Sequence, residues 1–235
     1  MNPKPDTAMI MAAGLGLRMR PLTLTTPKPL IKVADKALID YGVEKLKAAG
    51  VAKVVVNKHY LADQIEAWAK AQKGLSVITS DESDIVLETG GGIKRALHLL
   101  GDAPFYVLNS DCFWTEAGKP ALQRLYETWD DRQMDCLLLL CHPSRTTGFD
   151  GGTDFAVAPD GRLSRQTKGG VIYIGAYLVH PRLFAGAPLS AFSMNVLWNT
   201  AINAGRLFGL EHLGHWFDIG KPSGIPAAEA RLAQG

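Results

Sequence analysis

The chain has few cysteines, no long apolar run and almost no imbalance of charge, and each shortage removes a class of protein. Cys112, Cys136 and Cys141 are the only cysteines in 235 residues. An odd number without C-x-x-C spacing, set in apolar or strand-like stretches, suits reduced core thiols and argues against a disulfide framework or a thiolate metal centre. No run of about 18 apolar residues occurs, and Met1-Asn-Pro-Lys-Pro-Asp lacks the charged and apolar regions of a signal peptide, so a membrane partner is excluded and a cytoplasmic location is expected. Lys and Arg total 25 against 23 acidic residues, a net charge of +2. That balance gives no general attraction to nucleic acid or membrane, so any anion site must be local. No G-x-x-x-x-G-K-[S/T] run is present, which disfavours a P-loop NTPase. His212 and His215 stand at i, i+3 spacing without a third ligand nearby, too little for zinc.

What is present is a layered α/β pattern. With 47% hydrophobic residues the chain can bury the core of one large α/β domain spanning 1–235. Apolar strand-like runs alternate with amphipathic helical ones, predicting helices on a mostly parallel sheet. Residues 37–49 put Leu38, Ile39, Val43 and Leu46 on one helical face, with Gly50 as the stop. Strands are expected at Val54–Val56, Leu75–Thr79, Phe105–Asn109, Met134–Cys141 and Val171–Val179. Further helices are expected near 60–72, 92–100, 119–132, 194–204 and 222–233. Asp160-Gly161 marks a hairpin turn.

Chemistry gathers at a few strand ends. Ala12-Ala13-Gly14-Leu-Gly16 follows an apolar strand, and glycines there let backbone N–H groups close on phosphate oxygens. Arg18 adds positive charge, and Lys28 sits between Pro27 and Pro29, which restrict its backbone. A dinucleotide fingerprint fits poorly, because Met19 holds the third glycine position and Pro21 follows. Asp111, in Leu108-Asn109-Ser-Asp111, and Asp218, in His215-Trp-Phe-Asp218, both end apolar strands, where α/β sheets hold ligands. Glu88-Thr-Gly-Gly91-Gly92 leads into a helix and leaves room for a flat ligand against its backbone. Asp81, Glu82 and Asp84 read as a solvated loop. Asn57 reads as a site-lining residue or a turn former.

The run Ala12-Ala-Gly-Leu-Gly-Leu-Arg-Met-Arg-Pro-Leu-Thr followed by Pro27-Lys-Pro-Leu resembles the signature of sugar-1-phosphate nucleotidyltransferases, and the resemblance covers nearly the whole chain. It implies a Rossmann-like three-layer α/β/α fold with a predominantly parallel mixed sheet. The nucleotide-binding part would be about 1–111 and the sugar-binding part about 112–235. It further implies that Ala12, Ala13, Gly14, Gly16, Arg18 and Lys28 hold the triphosphate. Asn57, Glu88, Gly91 and Gly92 would line the nucleoside, and Asp111 and Asp218 would bind Mg2+, with Arg18, Lys28 and the two aspartates as the catalytic set. The wording Glu88-Thr-Gly-Gly-Gly is most similar to the short bacterial enzymes that make UDP-N-acetylmuramic acid from N-acetylmuramic acid 1-phosphate, which implies UTP as the preferred nucleoside triphosphate. Asn109, Asp154, Gly175 and Ala176 match positions that approach the sugar 1-phosphate.

The chain departs from longer relatives by lacking a Glu-Lys-Pro segment whose lysine holds the sugar phosphate. Lys168, in Thr167-Lys-Gly-Gly, lies in that region without the motif. Three other readings stay open: a guanylyl- or other nucleotidyltransferase for a mannose-, heptose- or glucose-type 1-phosphate, a non-catalytic nucleotide-sugar sensor, and a nicotinamide oxidoreductase. Spacing alone does not bring Asp111 and Asp218 together, and the oligomeric state is not legible.

Overall fold

A seven-stranded central sheet and six α-helices form the body of the fold. The computed structural model describes residues 4–234. Its central strands are β1 (Thr7–Met11), β2 (Lys53–Lys58), β3 (Ser76–Asp81), β4 (Phe105–Asn109), β5 (Cys136–Cys141), β6 (Ile172–Val179) and β7 (Leu207–Glu211). They lie in the order β7-β5-β6-β4-β1-β2-β3. Every neighbouring pair is parallel except those of β6, which runs antiparallel to both β4 and β5.

The helices are α1 (Leu38–Ala48), α2 (Ala62–Ala71), α3 (Glu88–Leu100), α4 (Ala121–Thr128), α5 (Met194–Asn203) and α6 (Gly224–Leu232). Successive side chains of a strand face opposite ways, so β1 sends Ala8 and Ile10 into one core and Met9 into another. The first core takes α1, α2 and α4; the second takes α3 and α5. This is the three-layer mixed sheet expected from the sequence. Leu38, Ile39, Val43 and Leu46 are the buried residues of α1.

Two elements differ from expectation. Helix α3 begins at Glu88, so the three glycines form its first turn rather than a loop before it. The edge strand β7 was not expected. It carries Gly209, where a Cβ would come within 2.3 Å of Leu140 and 2.7 Å of Leu163; a strand glycine that admits close neighbours weakens the alternation that would reveal it.

The Asp160-Gly161 turn does close a hairpin, Phe155–Val157 against Leu163–Arg165. A smaller sheet pairs Cys112–Trp114 with Trp216–Asp218, and Trp216 and Phe217 in turn with Thr146 and Thr147. Tyr41, Phe113 and Phe217 stack behind it at 4.1 and 4.7 Å, closing a third core with Met19, Val33 and Ala228. The three cysteines are buried and unpaired. No helix among the described residues is long and apolar enough to cross a membrane.

Candidate active site

The small sheet solves the problem that spacing leaves open. In its antiparallel register Asp218 stands opposite Cys112, and the Ile219 N–H donates to the Asp111 carbonyl at 3.0 Å. Two aspartates 107 positions apart are thus held side by side at the carboxyl edge of the main sheet. Gly148 backs this arrangement: at φ +84° it passes so close that a Cβ would lie 2.1 Å from the Asp218 carbonyl oxygen.

Charge is concentrated here. Lys28 Nζ lies 2.8 Å from Asp111 Oδ2, and its side chain is only 11% exposed. Burial, and then the Asp111 carboxylate, push the Asp218 carboxyl up to about 6, while Lys28 and Arg18 pull it back. A Cβ on Gly220 would lie 3.2 Å from the Asp218 carboxyl and 3.5 Å from Arg18 Nη1, so Gly220 leaves the space between them clear. Arg18 itself is exposed. Lys221 and Asp150 pair at the rim.

The glycine loop divides its labour. Gly14 faces open space, whereas Gly16, at φ +62°, packs against Thr23 and Lys28 and has its carbonyl bonded by Thr23 Oγ1 at 2.8 Å. The Ala12 N–H donates to Asn57 Oδ1 at 2.6 Å, and Asn57 Nδ2 donates to Glu82 Oε1 at 2.8 Å. Asn57 and Glu82 are each 1% exposed. Glu82 therefore corrects the solvated-loop reading, as does Asp81, which is exposed but ends β3, while Asp84 is exposed; burial raises the Glu82 carboxyl above the ordinary range. Ser110 Oγ donates to the Met11 carbonyl at 2.6 Å and ties β1 to the Asp111 turn.

Two cavities of about 210 Å³ each open side by side and share Thr89 and Asn109. The first is lined by Ala12, Ala13, Gly14, Lys28, Asn57, Glu88 and Asp111, together with Glu82 and Ser110. The second is lined by Asp154, Phe155, Arg165, Tyr173, Tyr177, Ser193, Met194, Asn195 and Trp198. Asp154 accepts the Tyr173 N–H at 2.9 Å, and burial raises its carboxyl.

Other sequence candidates lie elsewhere. Gly91 and Gly92 line neither cavity. The space above the α3 glycines is filled by protein: the Phe192 ring would clash with a Cβ on Gly90, the Ser190 carbonyl with one on Gly91 and the Glu82 carboxyl with one on Gly92. The Gly90 and Gly91 N–H groups both donate to the Phe192 carbonyl, at 2.8 and 3.1 Å. The flat surface foreseen for a ligand is thus a packing surface.

Gly175 is the centre of a register shift in β6 and sits against Cys112 and Asn109; Ala176 is fully buried opposite Leu108. Both shape the wall behind Asn109 without facing the cavity. Lys168 is exposed in the loop before β6 and lines neither cavity. His212 is buried and meets the Thr115 carbonyl at 3.0 Å, and His215 meets Thr147 Oγ1 at 2.8 Å.

Sequence reasoning missed Glu82, Thr89, Ser110, Gly148, Arg165 and Tyr173. Thr89 and Ser110 lie within the Glu88-Thr-Gly-Gly and Leu108-Asn-Ser-Asp111 motifs already singled out, whereas Glu82, Arg165 and Tyr173 stand in no pattern that marks them as site residues.

A glycine loop, a half-buried lysine and two adjacent carboxylates at the edge of a mixed sheet define a nucleotide-handling enzyme, and the chain belongs to the nucleotidyl transferase family, whose model matches residues 7–149. It is 42% identical, over the whole of both chains, to N-acetylmuramate alpha-1-phosphate uridylyltransferase of Caulobacter vibrioides. It is 35% identical to the enzyme of the same name from Neisseria meningitidis serogroup B, over 95% of this chain and 96% of that one. Mannose-1-phosphate guanyltransferase beta-B of Xenopus laevis is 30% identical over 92% of this chain, which spans 61% of that longer protein. In fold, UDP-glucose pyrophosphorylase complexed with UDP-glucose superposes with a TM-score of 0.80 over 98% of this chain and all of that one, at 17% identity. HddC from Yersinia pseudotuberculosis gives 0.76 over 96% of this chain and 99% of that one, at 22% identity.

Proposed function

We propose that the protein joins UTP and N-acetylmuramic acid 1-phosphate to give UDP-N-acetylmuramic acid and pyrophosphate in cell-wall recycling. The observation that carries the reaction type is the pair of cavities that meet at Asn109, next to the Lys28–Asp111 pair. One cavity receives the nucleotide and the other the sugar, so their phosphates converge at Asp111 and Asp218. The full-length similarity to the Caulobacter enzyme supports the choice of substrates. A reaction that consumes UTP belongs in the cytoplasm.

A sugar-phosphate oxygen, already anionic at neutral pH, attacks the α-phosphorus in line, and the bond from that phosphorus to the β-phosphate bridging oxygen breaks. No general base is needed, so positioning and charge neutralisation carry the rate. Gly14 offers open backbone to the phosphates, Lys28 presents its ammonium from the cleft floor, and Arg18 meets the departing pyrophosphate. The donor set fits a divalent cation: Asp111 and Asp218 are hard oxygen ligands, and burial together with repulsion from Asp111 raises the Asp218 carboxyl. Mg2+ held there would neutralise phosphate charge. Asn57 keeps the loop in register by holding the Ala12 N–H.

Incubating the protein with UTP, N-acetylmuramic acid 1-phosphate and Mg2+ tests this. One UDP-N-acetylmuramic acid per pyrophosphate, identified by mass, is the expected result. Pyrophosphate release independent of the sugar, or none at all, would overturn it. The mannose-1-phosphate guanyltransferase similarity supports GTP with a mannose-type phosphate as the second reading.

A further inference from the structure

The second cavity holds one positively charged side chain, Arg165, which forms no direct ion pair, although the Asp154 carboxylate in the same cavity acts on it through space. No Asp or Glu oxygen among the described residues is paired with it within 4.0 Å. Its hydrogen bonds go to neutral amides instead: Nε to Asn199 Oδ1 at 3.0 Å and Nη2 to Asn195 Oδ1 at 2.8 Å. Its guanidinium lies 4.6 Å over the Phe155 ring, so its plane is fixed from the hairpin side as well. Nη1 has no hydrogen-bond partner among the described residues. The first turn of α5, with Ser193 as its cap, borders the same cavity and adds the positive end of a helix. Asp154 is the other charged group here; its Oδ2 is engaged by the Tyr173 N–H. Tyr173 and Tyr177 complete the wall.

Such an arginine is built to receive an anion, and the reaction centre supplies reasons to think that the anion is not the sugar phosphate. That phosphate must reach Asp111 and Asp218, whose cationic neighbours are Lys28 and Arg18. Arg165 lies in the other cavity, which joins the first only at Thr89 and Asn109. A sugar with its phosphate at Asn109 would turn its ring substituents toward the hairpin and α5.

Resting on the proposed substrate, we infer that Arg165 recognises the lactyl carboxylate of N-acetylmuramic acid 1-phosphate, and so separates this sugar from N-acetylglucosamine 1-phosphate, which has a hydroxyl there. A guanidinium held by two amides presents its remaining N–H groups as a preformed fork for a carboxylate. Asp154 serves the opposite need as an acceptor for a sugar hydroxyl or amide.

The test is kcat/KM with UTP for three sugars: N-acetylmuramic acid 1-phosphate, its lactyl amide and N-acetylglucosamine 1-phosphate, in the wild type, Arg165→Gln and Arg165→Lys. A charge-assisted hydrogen bond of this kind corresponds to about 10- to 150-fold in rate. Arg165→Gln is expected to shrink the preference for the carboxylate over the amide or the hydroxyl by that factor. Arg165→Lys should recover part of it. Losses from the variant and from amidation should fail to add. An unchanged preference, whether all rates fall together or none falls, overturns the inference, and so does recovery by lysine that is equal on all three sugars. The wild-type column is read separately: if it shows no turnover of N-acetylmuramic acid 1-phosphate, the substrate assignment itself has failed.

Discussion

Asp218 sets stability against chemistry, and the conflict can be measured. Burial and the Asp111 carboxylate hold its carboxyl at about 6 in the folded chain, against an ordinary 3.8. Unfolding returns it to the ordinary value. Between about pH 4 and 6 the folded state keeps a proton that the unfolded state has released, so stability falls as pH rises through that window and stays reduced above it. A shift of about two units corresponds to about 3 kcal/mol at most. Because solvent still reaches the carboxylate, about 1–2 kcal/mol is the appropriate scale.

Asp218→Asn should remove this cost. Without divalent cations at pH 7.5, thermal melting of the variant is expected about 2–8 °C above the wild type. The gap should close toward pH 4. His212, whose burial holds it down at about 4, adds stability that is lost as pH falls below 6.5, but it is common to both proteins and cancels in the difference. Added Mg2+ should raise the melting temperature of the wild type more than that of the variant, and turnover should fall by orders of magnitude. A variant that melts at or below the wild type at pH 7.5, or a gap that does not depend on pH, would refute the reasoning.

Asp111→Asn should lower kcat by at least about 100-fold with a melting temperature close to the wild type, since loss of the Lys28 ion pair and relief of the repulsion on Asp218 oppose each other; a near-wild-type rate would remove Asp111 from the mechanism. Gly148→Ala forces a Cβ to within 2.1 Å of the Asp218 carbonyl at φ +84°. It should destabilise by about 2–4 kcal/mol and lower kcat more than it raises KM, and unchanged kinetics in the folded variant would show that Asp218 is held some other way. Gly175→Ala meets Cys112 Sγ at 2.4 Å with φ +81° and should cost about 1–3 kcal/mol in chemical denaturation; a wild-type midpoint would contradict the packing described behind Asn109.

The layers were legible because they repeat. The helical period of α1 and the apolar runs of β1, β2 and β4 announce buried faces whatever lies opposite them. The glycine loop, Lys28, Asp111 and Asp218 were legible because they sit in compact motifs at strand ends. What escaped depends on contacts distant in sequence. Glu82 reads as one acid among three, and only its bond to Asn57, 25 positions away, shows that it is interior. Gly91 and Gly92 read as space for a ligand because nothing local reveals that the segment around Ser190 and Phe192, and Glu82, occupy that space. Arg165 sits in an exposed hairpin strand, and its role emerges only where α5 supplies Asn195 and Asn199. Lys168, drawn from its position near a missing motif, lies outside both cavities.

The most direct measurement is a single-pot competition. The wild-type protein with Mg2+ is given equimolar UTP, GTP, CTP, dTTP and ATP, together with equimolar 1-phosphates of N-acetylmuramic acid, N-acetylglucosamine, glucose and mannose, and the first nucleotide sugars formed are identified by mass. The account predicts UDP-N-acetylmuramic acid as the dominant early product. Early dominance of any other nucleotide sugar, or no product at all, would contradict it.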